Sequence, residues 1–210
     1  MRSKTVFDKY PEDYDNWYQK NYNAYISEVE AIKKVLPSGR GLEVGIGSGR
    51  FALPLRIEYG VDISLSLLKI AKERDLKVIC GDACNLPFKD ESFDFALMAF
   101  TICFLKRPLL ALNEANRVLK TKSHIILAFI DKESFLGKYY LRRKHKSVFY
   151  KEAIFYSIPE IAKLLKDSGF SKFLFYQTLF DLPQNLTQPD PVVEGYGEGG
   201  FVVVRAKKIR

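Results

Sequence analysis

Nowhere in its 210 residues does the chain reach the run of about 18 apolar residues that a membrane span requires. The longest apolar stretch, FALMAFTICFL (95–105), suits a buried strand followed by a loop. The opening MRSKTVFDKY has neither an apolar core nor a small-residue cleavage site, so no signal peptide is expected and a cytoplasmic location is. Cysteine is scarce: Cys80, Cys84 and Cys103 are odd in number and lack CxxC spacing, which argues against a disulfide framework or a zinc site and fits a reducing compartment. No metal is expected. There is no internal repeat and no low-complexity tract.

What is present describes one ordinary globular α/β domain, with 47% hydrophobic and 28% charged residues. The net charge of +8 is concentrated: KYYLRRKHKSVFYK (138–151) holds six Lys or Arg and no acid, interleaved with aromatics. Such a segment can serve a nucleic acid or an acidic substrate, but no RNA-binding motif accompanies it, and a solvated helix face is the reading favoured. Nucleic acid is therefore allowed as a partner and not preferred.

The middle of the chain alternates strand and helix signals, predicting a doubly wound, mostly parallel sheet with helices on both faces. A helical cap (1–38) comes first, with Tyr25, Val29, Ile32, Val35 and Leu36 at helical spacing before PSG stops it. Strands follow near 40–45, 57–62, 77–81, 93–99 and 124–129, with helices predicted from Ser48, from Ser64 to about Asp75, and from Pro108. Leu109, Leu112, Ala115 and Leu119 give the last of these its apolar side. Beyond a basic insertion (132–156), SIPE (157–160) reads as a capping box whose helix ends at Gly169. Two more strands, 173–180 and 201–208, are joined by a Pro-, Gly- and acid-rich loop instead of a helix, so the last should be antiparallel.

A parallel sheet presents its ligand at the carboxyl ends of its strands, which puts LEVGIGSGR (42–50) on the binding edge. Gly45, Gly47 and Gly49 spell GxGxG, neither the dinucleotide GxGxxG nor a P-loop. Glu43, just ahead of them, would repel a pyrophosphate by on the order of 1 to 4 kcal/mol in a partly desolvated cleft. It would attract an ammonium. S-adenosyl-L-methionine carries an amino acid, a sulfonium and an adenosine; Asp62, 17 residues past Gly45, can accept from ribose hydroxyls, and Asp82 from the adenine amino group, with Leu86, Pro87 and Phe88 as apolar walls. Taken singly, Asp62 could merely help to start a helix and Asp82 could merely make a turn.

At these residues the chain resembles the class I S-adenosylmethionine-dependent methyltransferases, in the branch that includes the ubiquinone and menaquinone biosynthesis enzymes. The likeness runs in order through YDNWY (14–18), LEVGIGSGR (42–50), VDIS (61–64), GDACNLPF (81–88), ESFDFALMAFTICFL (91–105), PLLALNEANRVLK (108–120) and GGFVVVRAKK (199–208). It implies a Rossmann-like, seven-stranded sheet with the last strand reversed. It places Glu43, Gly45 and Gly47 at the methionine end, Asp62 with Ile63 at the ribose, and Asp82 with Ala83 at the adenine. Tyr14, Trp17 and Met98 complete the expected cofactor contacts. For Tyr14, Trp17 and Tyr18, packing of the cap is the competing role, and the two can coexist. One departure stands out: the crossover 46–56 is 11 residues long and contains Pro54, which should distort its helix.

In methyl transfer the cofactor supplies the leaving group, so the protein mainly aligns an acceptor and excludes water, and no catalytic residue is assigned. The acceptor should lie beside Met98–Phe104, with Thr101, Cys103 and Tyr196 as candidate contacts. Cys103, with no charge adjoining it, reads as a buried structural cysteine. His145 lies among cations and reads as surface, and His124 starts its strand at the wrong edge of the sheet. The motif [DN]PP[YF] is absent, as is a Pro-Cys nucleophile. EGYGEGGF (194–201) contains a closer GxGxxG match but precedes a strand, so it fails as a phosphate loop. Glu194, Tyr196 and Glu198 would instead border the acceptor pocket and favour an amine. A small-molecule methyltransferase leads; an RNA methyltransferase using 138–151, or a cofactor-binding regulatory protein without turnover, are the alternatives, and an oxidoreductase is disfavoured by the loop spacing.

Overall fold

The computed structural model describes residues 5–209; the outermost residues of the predicted cap and of the C-terminus lie outside it. Three helices lead, α1 (Val6–Lys9), α2 (Pro11–Lys20) and α3 (Tyr22–Lys33), and then β1 (Gly41–Val44), α4 (Ala52–Leu55), β2 (Tyr59–Asp62), α5 (Leu65–Glu73), β3 (Lys77–Cys80) and β4 (Phe93–Ala99). They are followed by α6 (Pro108–Val118), β5 (Leu119–Ile130), α7 (Phe135–Arg143), α8 (Ile158–Asp167), β6 (Phe170–Thr178), β7 (Val193–Glu194) and β8 (Phe201–Lys208). The sheet order is β3-β2-β1-β4-β5-β8-β6-β7, with β8 antiparallel to both β5 and β6. The count is eight instead of seven because the acid-rich loop contributes a two-residue strand, β7, to the outer edge of β6.

The apolar run from 95 to 99 is buried on both faces, as a central parallel strand must be. Its period of two divides it: Phe95, Leu97 and Ala99 join Ile126, Ala128 and Val203 beneath the cap helices. Ala96 and Met98 join Ile125, Leu127 and Val204 beneath α6 and α8. On α6 the buried stripe is Ala111, Leu112, Ala115 and Val118, whereas Leu109 is 40% exposed and Leu119 already belongs to β5.

Local signals placed several boundaries well. Ser64 caps α5 by accepting from Leu67 N (3.3 Å), and Ser157 with Glu160 closes a capping box on α8. The crossover after β1 is a turn through Phe51, and only the four residues of α4, including Pro54, are helical. Arg56, at φ 56°, ends it.

Candidate cofactor and acceptor site

The glycine turn is held by the strand beside it. Gly45 N and Ile46 N both donate to Val61 O (2.7 and 3.1 Å), and Gly47 N donates to Asp62 Oδ2 (2.8 Å). Gly45 has φ 77°, and a Cβ there would lie 2.3 Å from Thr101 Oγ1, so both its backbone angle and its packing require glycine. Thr101 donates to Val44 O (2.9 Å), tying the end of β4 to the end of β1.

Beneath this turn lie two carboxyls. Glu43 is 1% exposed and its Oε2 has no hydrogen-bond partner. Burial, with the neighbouring Asp62 adding to it, pushes the Glu43 carboxyl well above the usual range. Burial likewise raises Asp62, although its Oδ1 accepts from Ser64 N (2.7 Å). An acid orphaned in this way suits a ligand that brings a cation and hydroxyl donors, which is what the amino-acid and ribose portions of S-adenosylmethionine offer. Asp82 is exposed at the third strand end, where its Oδ1 accepts from Cys84 N (2.8 Å) and shapes the turn. Ile63 and Ala83 flank these acids on the same edge.

The cap is fastened over the turn by a residue that sequence reading passed over. Asp15, on α2, accepts from Ser48 Oγ (2.6 Å), from Arg50 Nε (2.8 Å) and Nη2, and from both terminal nitrogens of Arg74 (2.9 and 2.7 Å). Burial opposes ionisation here, but the hydrogen bonds from Arg74, Arg50 and Ser48 outweigh it and hold the carboxyl well below the ordinary value. Asp8 does the same for α1, accepting from Ser64 Oγ (2.8 Å) at the start of α5. The result is that Tyr14 lies over the turn, its ring 3.5 Å from where a Gly47 Cβ would be.

Beside Tyr14 is a cavity of about 60 Å³ walled by rings. Phe7, Tyr14, Trp17 and Tyr18 come from the cap, Phe100 and Phe104 from the segment after β4, and Phe149 and Tyr150 from the basic insertion. Phe7 stacks on Phe149 (5.7 Å) and Phe104 on Tyr150 (6.1 Å), so cap and insertion meet in an aromatic seam. The insertion turns Tyr140, Phe149, Tyr150 and Phe155 inward and leaves Phe135, Lys138, Arg142, Arg143, His145, Lys146 and Lys151 exposed.

The structure thus gathers Tyr14, Glu43, Gly45, Gly47 and Asp62 around one turn, with Ile63 next to Asp62, Asp82 and Ala83 at the next strand end, and Trp17 in the cavity wall. Met98 is not among them. Its side chain points to the opposite face of the sheet and is fully buried under α6. Cys103 is buried, donates to Phe100 O (3.0 Å), and burial pushes its thiol up to about 12, as a structural cysteine requires. Tyr196 is 54% exposed and packs on Phe175 (4.9 Å). Its loop extends from β7, five strand spacings or roughly 24 Å from β1, and neither Tyr196 nor Glu194 nor Glu198 lines the cavity. Among the described residues no group of three or more His, Cys, Asp or Glu could hold a metal ion, and no helix is long and apolar enough to cross a membrane.

Comparison with known proteins agrees with this geometry. Residues 42–127 match the family described as a methyltransferase domain. An uncharacterized protein of Methanocaldococcus jannaschii is 49% identical over 97% of this chain and 99% of its own length. A demethylmenaquinone methyltransferase of Thermotoga maritima is 32% identical over 83% of this chain and 75% of its own. The crystal structure of a SAM-dependent methyltransferase, possible histamine N-methyltransferase, also from Thermotoga maritima, superposes with a TM-score of 0.95 at 49% identity, covering 97% of this chain and 98% of that one. The glycine turn, its acids, the reversed β8 and these relatives together make the chain a member of the class I S-adenosyl-L-methionine-dependent methyltransferases.

Proposed function

We propose that this methyltransferase acts on a small-molecule acceptor held in the ring-walled cavity beside Tyr14. The observation that carries this is the position of the cavity: it adjoins the glycine turn through Tyr14 and is enclosed by cap and insertion together. Glu43, Gly45 and Gly47 would hold the amino-acid end of the cofactor, Asp62 with Ile63 the ribose, and Asp82 with Ala83 the adenine, with Tyr14 and Trp17 covering it. When bound, the cofactor supplies an electrophilic methyl group. The chain's own contribution is then to fix the acceptor within an apolar wall and to keep water out, the kind of positioning that replaces a dedicated base.

The enclosed, aromatic character of the cavity favours a small acceptor over RNA. A polynucleotide would have to use the exposed cations of the insertion, which lie on its outer side. The test is calorimetry with S-adenosylhomocysteine, followed by transfer of labelled methyl from S-adenosylmethionine into a metabolite extract and an RNA pool side by side. Label in a small metabolite is expected. Label in RNA alone, weakening steeply with salt, would overturn the assignment of the acceptor.

A further inference from the structure

We propose that Glu28, together with the tyrosines between it and the cavity, forms the acceptor subsite, and that the acceptor it selects carries an amine. This rests on the methyltransferase reading above and specifies its substrate class. Glu28 sits in the middle of α3 on the face packed against the sheet, between Ser27 and Val29, and is 1% exposed. Its neighbour Glu30 points outward and pairs with Lys33 (2.8 Å). Glu28 has no such partner: its Oε2 is buried without a hydrogen bond, and among the described residues no Lys or Arg forms an ion pair with it.

An acid in that position only penalises the fold unless something else satisfies it. Its surroundings indicate what that is. Tyr25, one turn earlier on α3, packs on Tyr18 (5.4 Å), and Tyr18 and Tyr150 are cavity walls. Tyr140 packs on Tyr150 (5.1 Å), which links the two regions. The cavity lining is wholly aromatic and carries no cation, and ring faces backed by a carboxyl are features that hold an alkylammonium. Burial drives the Glu28 carboxyl well above its ordinary range while it stands alone. An arriving ammonium would pair with its ionised form.

Trp17, the only tryptophan of the chain, lies in the cavity wall and reports occupancy by its fluorescence. With S-adenosylhomocysteine present, benzylamine and benzyl alcohol, nearly equal in shape, are titrated at neutral pH. The intact protein is expected to bind the amine at least tenfold more tightly, and Glu28→Gln to reduce that preference below twofold while the alcohol's Kd stays the same. Equal affinity for both probes in the intact protein, no binding of the amine, or a preference that survives Glu28→Gln would overturn the inference. The comparison in the intact protein stands even if the variant does not fold. Calorimetry with S-adenosylhomocysteine keeps the two readings apart, since its failure would remove the cofactor site, whereas its success with no amine preference would remove only the Glu28 subsite.

Discussion

The clamp at Asp15 makes the sharpest demand on the structure. Asp15→Asn keeps the side-chain shape and one acceptor oxygen but removes the charge that Arg50 and Arg74 share. A hydrogen bond to a charged group contributes about 1.5–3 kcal/mol net, and stripping one partner from a buried pair costs about 3–5 kcal/mol. The two arginine side chains are 18% and 21% exposed, so water recovers part of that loss, and about 2–3 kcal/mol is expected. With a urea m-value of about 2 kcal/mol per molar, the midpoint should fall by roughly 1 M. Because Trp17 is on the same helix as Asp15, its fluorescence should change before the far-ultraviolet signal of the sheet. Affinity for S-adenosylhomocysteine should fall at least tenfold as Tyr14 loses its hold over Gly47. The sign with pH follows from the depressed carboxyl: the clamp's contribution is present above the ordinary aspartate value of 3.8, is lost as pH falls below it, and should be missing from the variant's acid limb. A midpoint shift equivalent to less than about 0.5 kcal/mol, with cofactor affinity unchanged, would refute the clamp.

Other perturbations separate the remaining parts. Gly45→Ala meets Thr101 at 2.3 Å as well as strain at φ 77°, and should cost about 3 kcal/mol or more in denaturant unfolding. Gly47→Ala, with open space to 3.5 Å and φ 54°, should cost only about 1 kcal/mol, and equal costs would contradict this packing. Thr101→Val removes the bond to Val44 O and should destabilise by about 1 kcal/mol, seen as a lowered urea midpoint. Glu43→Gln should stabilise the ligand-free protein while weakening S-adenosylhomocysteine at least tenfold by calorimetry. The reason is that a carboxyl raised by burial leaves the folded state holding more protons, so its contribution falls as pH rises past 4.5; the gain from Gln should therefore grow between pH 5 and 8, and a gain independent of pH would count against it.

Much of the carboxyl edge of the sheet was legible because it is written locally. Glycine spacing, an acid at each of three strand ends, and Ser64 beginning a helix are short-range signals, and each sits where those signals place it. Met98 was misplaced for a reason the same sequence contains: alternation along β4 puts Leu97 and Met98 on opposite faces, and only the partner strands tell which face carries the cap. The loop with Tyr196 was assigned to the correct edge of the sheet but not to the correct distance along it, because strand order is not a local property.

Asp15 and Glu28 escaped notice for complementary reasons. Each lies in a helix whose other acids face water, and nothing within a few residues distinguishes them. Asp15 becomes special only when Ser48, Arg50 and Arg74 are brought to it from up to 59 residues away, and Glu28 only when nothing is. The basic insertion shows the same limit. Its cations dominate composition and suggest a partner outside the molecule, yet the rings interleaved with them, Phe149 and Tyr150, face Phe7 and Phe104. A segment with alternating character has two sides, and composition weighs the wet side more heavily because charge is rarer in cores than aromatic surface is outside. The inward side closes the cavity. Six of the cavity's eight walls therefore come from the cap and the insertion, and the other two, Phe100 and Phe104, from the segment after β4.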